Sequence, residues 1–134
     1  MTWRTCLLLC ALAACLSLDG CRPPQGDSNP EIALDLAVTP DPPVTGPANV
    51  RLTLTDKATG QPVQGAEVRL EGNMSHAGMR PVFGAARETE PGRYETSLDL
   101  HMGGDWFILV DATLRDGRSL QRQVDLPDVH ARQD

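Results

Sequence analysis

Every methionine after the initiator stands within three residues of a histidine. Met74, His76 and Met79 fall in the segment Asn73-Met-Ser-His-Ala-Gly-Met79, and His101 and Met102 are adjacent further on. A thioether sulfur is a soft donor and an imidazole nitrogen a borderline one. Together they suit copper, above all Cu(I), better than calcium or magnesium. No cysteine follows Cys21, so no thiolate in the body of the chain competes for that ion. Ag(I) would serve as a surrogate, and Cu(II) would need a second imidazole and water. Zinc fits less well, because its sites prefer thiolate, imidazole and carboxylate to thioether.

The first three donors are expected in a loop, since Asn73, Ser75 and Gly78 interrupt them. A loop lets neighbouring side chains converge, whereas a strand sends alternate residues to opposite faces. As loop residues they are predicted to carry little of the core. His101 and Met102 end a strand and precede Gly103-Gly104. Alternation points Met102 inward with Leu98 and Leu100 and His101 outward. Both reach one ion only if the strand stops or bulges there, so the second pair is left as either ligand or packing.

These donors need a scaffold, and the chain supplies one domain's worth. An apolar run from Cys6 to Leu18 follows Arg4. It is shorter than the roughly 20 residues a membrane-spanning helix needs, and reads as an export signal. All four cysteines, Cys6, Cys10, Cys15 and Cys21, lie in or just after it, which is no pattern for a disulfide framework. The arrangement resembles a bacterial lipoprotein signal, with acylation at Cys15 (Leu12-Ala-Ala-Cys15) or Cys21 (Leu18-Asp-Gly-Cys21). The expected location is the bacterial envelope, facing the periplasm and lipid-anchored to the membrane. Net charge is −6, and residues 1–20 hold one base and one acid, so their loss leaves it unchanged. An acidic domain is a poor partner for nucleic acid.

Residues 1–20 are thus expected to be a signal segment, 21–30 a proline-rich tether, 31–127 the domain and 128–134 a flexible tail. Within the domain, Ile32/Leu34/Leu36, Val50/Leu52/Leu54, Val68/Leu70 and Tyr94/Thr96/Leu98 alternate with polar or small residues. That is the period of half-buried strands. Pro81 to Ala86 is a weaker strand, and Trp106 to Val110 is nearly all apolar, as a strand covered on both faces would be. Asp116-Gly117 marks a hairpin before a strand from Leu120 to Val124. Six to seven short strands without helical periodicity predict an all-β fold, an antiparallel immunoglobulin-like β-sandwich.

Three stretches resemble the YtkA-like / FixH-like family: Asn73 to Pro81, Pro91-Gly-Arg-Tyr-Glu95, and Leu98-Asp-Leu-His-Met-Gly-Gly-Asp-Trp106. The resemblance covers roughly 31–127 and implies a small exported or membrane-anchored β-sandwich. It also implies copper handling or assistance to respiratory oxidase assembly, although no transmembrane helix of the FixH type is evident here. The interval from Met79 to His101 is in addition similar to that in periplasmic copper chaperones, which place a residue between their final His and Met.

No nucleophile elbow, paired acidic cluster or glycine-rich phosphate loop appears, and Asp105 and Asp111 read as solvated strand ends. No enzymatic activity is expected. The sequence points to a copper-binding envelope lipoprotein that hands its ion to a protein partner. Its rivals are a metal-free interaction module of the envelope and an accessory factor for a respiratory complex.

Overall fold

A computed structural model describes residues 29–133. The signal segment, most of the tether and both candidate acylation sites, Cys15 and Cys21, lie outside the described residues. Seven antiparallel strands follow one another: β1 (Ile32–Thr39), β2 (Gly46–Asp56), β3 (Glu67–Met74), β4 (Val82–Glu90), β5 (Arg93–Leu100), β6 (Gly104–Thr113) and β7 (Ser119–Val129). They pair in the order β1-β2-β5-β4-β3-β6-β7. The fold is the expected all-β architecture.

One strand joins the two layers. Val82 to Ala86 of β4 pair with β3, and Arg87 to Glu90 pair with β5. The inward residues of the two layers meet in one core: Val50, Leu52 and Leu54 of β2 and Tyr94 and Leu98 of β5 pack with Val68, Leu70, Ile108, Val110 and Leu120. Period-two patterning produces this directly, because alternate side chains of every strand share a face. Strand β6 departs from expectation. Trp106, Ile108, Val110 and Ala112 are buried, but Phe107 and Leu109 on its outer face are only half-buried, so the strand is covered fully on one side.

The end of the sandwich at the β4–β5 turn is fastened by the Pro91-Gly-Arg-Tyr94 segment. Buried Tyr94 donates its hydroxyl hydrogen to the Val63 carbonyl (2.7 Å) and accepts from the Ala66 N–H (3.0 Å). These two bonds hold the long β2–β3 connection against β5. Replacing Tyr94 by phenylalanine strands both backbone groups, and denaturant melts should show a loss of about 2 kcal/mol. Burial pushes the Tyr94 hydroxyl above its ordinary value; the Ala66 hydrogen bond and Arg115 oppose this, while Glu88 adds to it. The unfolded chain therefore releases this proton first. The associated stability is complete below about pH 10 and is lost as pH rises through the folded value. Alkaline melts of Tyr94→Phe should lack that component.

Candidate metal site

The opposite end of the sandwich carries the soft donors. Strand β3 runs as far as Met74, which pairs across the ladder with Trp106 of β6. Strand β5 stops at Leu100. The connections 75–81 and 101–103 thus leave from the same end, and the Ser75 N–H reaches the Asp105 carbonyl between them at 3.4 Å. Beneath them lies a second apolar cluster of Ala48, Met74, Leu100, Trp106 and Val129, against which Met79 packs.

Met74 corrects the sequence-based expectation. It is the last residue of a strand, 9% exposed, and part of the core rather than a free loop residue. Met79 folds back from the connection onto the same cluster, half-buried. His76 stands exposed between them. His101 is also exposed, but its ring meets Trp106 edge to face, with centroids 5.2 Å apart and planes at 85°. Met102 is 48% exposed instead of pointing inward. Alternation does not carry past Leu100, because the strand has ended and Gly103 and Gly104 turn the chain into β6.

Those glycines are required where they stand. Gly104 has φ +126°, and a Cβ there would lie 3.2 Å from the Met74 methyl carbon. A Cβ on Gly103 would lie 3.0 Å from the Val129 carbonyl oxygen. The backbone of the β5–β6 connection can approach Met74 and the end of β7 only without side chains at these positions.

One residue at this end lies outside the expected donor set. Trp106, 2% exposed, donates its indole hydrogen to the Met102 carbonyl at 2.9 Å while packing beside Met74. Its place on the inner face of β6, where it alternates with Ile108 and Val110, was the available signal. The start of the tail expected over 128–134 is paired through its backbone: β7 continues to Val129, and the His130 backbone carbonyl accepts from the Thr45 N–H (2.8 Å) while its backbone N–H donates to the Pro43 carbonyl (2.9 Å). With Gly103 beside it, His130 belongs to the same end as His76 and His101.

Asp105 stands at the start of β6. It is exposed and accepts from the Asp128 N–H at 3.1 Å, holding the irregular end of β7 to β6. Among the described residues, no three His, Cys, Asp or Glu side chains gather where they would hold a metal ion.

Comparisons with known proteins complete the description. A family model described as YtkA-like matches residues 31–111. None of the curated proteins matches the chain. Among solved structures, the chain is similar to the soluble domain of PmoD from a Methylocystis species, at 14% identity and a TM-score of 0.46, over 72% of this chain and 89% of that one. It is also similar to a DUF4785 family protein from Legionella pneumophila, at 14% identity and a TM-score of 0.49, over 75% of this chain and 29% of that one. Murine CRIg shares 11% identity with a TM-score of 0.41, over 75% of this chain and 99% of that one.

Proposed function

This chain belongs to the YtkA-like family, and from that premise we propose that it binds copper as cargo and passes it to a partner in the bacterial envelope. One observation carries the reading. Both Met/His segments open at one end of the sandwich and are anchored in the same cluster, through Met74 and Met79 on one side and the Trp106 contacts of His101 and Met102 on the other. Met74, His76, Met79, His101 and Met102 are the donors, and Cu(I) is the favoured state because sulfur predominates.

Transfer by ligand exchange suits this arrangement. Exposed His76, His101 and Met102 form an accessible rim that an incoming donor can replace one at a time, while buried Met74 keeps its place. The role is binding and delivery rather than catalysis. A lipid on Cys15 or Cys21 would tether the domain to the membrane and face it to the periplasm.

Methionine labelled with ¹³C at the methyl group tests the assignment. On titration with Ag(I) of the chain with its four cysteines replaced by serine, the resonances of Met74, Met79 and Met102 should shift and saturate at one equivalent. Movement of none of them would remove the thioethers from the site and defeat the reading.

A second reading, a metal-free interaction module, draws on Phe83. This side chain is 70% exposed on the outer face of β4, beside a shallow depression lined by Arg69, Leu70, Gly84 and Ala85. Phe83→Ser should leave Ag(I) binding unchanged; loss of a co-purifying envelope protein in that variant would favour the module.

A further inference from the structure

We propose that Trp106 is a positioning residue of the copper site, holding the two donor segments to one point and lying beside the ion they take up. The inference rests on the copper reading and adds a residue to it that is neither a thioether nor an imidazole. Trp106 is the cross-strand partner of Met74, and Met79 packs onto the cluster the two share. Its indole hydrogen is donated out of the core to the Met102 carbonyl, and its ring meets His101. Trp106 thus meets Met74 across the ladder, the His101 ring and the Met102 backbone, while Met79 packs on the cluster that Trp106 shares with Met74 and exposed His76 stands apart.

The chemistry of indole fits the task. Tryptophan has a single hydrogen-bond donor and no acceptor, so a donor spent on the Met102 carbonyl fixes the short 101–103 connection with no competing partner. The π-face attracts cations, and its bulk keeps water from one side of a site built on weak thioether bonds. Phenylalanine at this position would fill much of the same space but could not hold Met102. The loss would fall on the His101-Met102 segment while Met74 kept its apolar surroundings.

The test uses the full chain with its four cysteines replaced by serine, so that no thiolate takes the ion, and with Trp3→Phe, which leaves Trp106 as the sole tryptophan of the two in the sequence. Ag(I) should quench its emission saturably at one equivalent, and Zn(II) at the same concentration should not. In a competition assay, Trp106→Phe, shown to be folded by circular dichroism, should bind Ag(I) roughly tenfold more weakly. Ag(I) binding with unchanged Trp106 emission overturns the proposal and leaves the copper reading intact, as does equal affinity in folded Trp106→Phe. The emission measurement needs no change in the core, so it stands even if Trp106→Phe fails to fold. Absence of Ag(I) binding by competition overturns both.

Discussion

Gly92→Ala is expected to lower the unfolding free energy by about 3 kcal/mol, read from the midpoint and slope of a urea melt. Two separate costs combine. Gly92 has φ +75°, a left-handed conformation that costs a residue with a Cβ about 1 kcal/mol or more. The added carbon would also lie 2.6 Å from Pro62 Cβ and 2.9 Å from the Leu54 carbonyl oxygen, so backbone would have to shift. That backbone is committed. The Gly92 carbonyl accepts from the Leu54 N–H (2.9 Å), and the Gly92 N–H donates to Glu88 Oε1 (3.1 Å). Because this turn lies at the end away from the Met/His segments, protein that remains folded should bind Ag(I) as the parent does. An equally stable variant would contradict the account of the turn.

Met74 allows stability and metal binding to be separated in one position. Met74→Ala opens a cavity beside Trp106 and Leu100 and should cost about 3 kcal/mol. Met74→Leu keeps the volume and the apolar character, and should cost less than about 1.5 kcal/mol. It removes the sulfur, however, and Cu(I) affinity should fall on the order of 100-fold. Paired urea melts and anaerobic affinity measurements decide the matter. If Met74→Leu binds Cu(I) as tightly as the parent, Met74 is core filler and no ligand.

The strands were legible because most of them bury one face, and a buried face writes itself into the sequence with period two. Where the pattern failed, a particular residue hid it. Strand β3 seemed to end at Leu70 because the next inward position is Gly72, which has no side chain to continue the alternation. Glycine is needed there: a Cβ would lie 2.8 Å from Val82 Cγ2 and 3.7 Å from Trp106 Cε3. The space a larger residue would fill is already taken by Val82 and Trp106, and so Met74 two residues on looked like a loop residue. Strand β7 seemed to end before Pro127 for a similar reason. It is an edge strand, where a missing N–H need not break a ladder, and it runs on to Val129.

The donor residues themselves were visible as residue types, since sulfur and imidazole at close spacing are informative without a fold. Their arrangement was not. That Met79 packs onto the Met74 cluster, and that His101 and Met102 reach Trp106, depends on which strands neighbour which. Spacing along the chain does not encode it.

The central claim is that this end of the sandwich takes up Cu(I). An anaerobic competition titration against a chromogenic Cu(I) chelator addresses it most directly, using the chain with Cys6, Cys10, Cys15 and Cys21 replaced by serine so that no thiolate takes the ion. The account predicts that the protein withdraws one equivalent of Cu(I) from the chelator, with a sharp end point. A chelator spectrum unchanged by an excess of folded protein would contradict it.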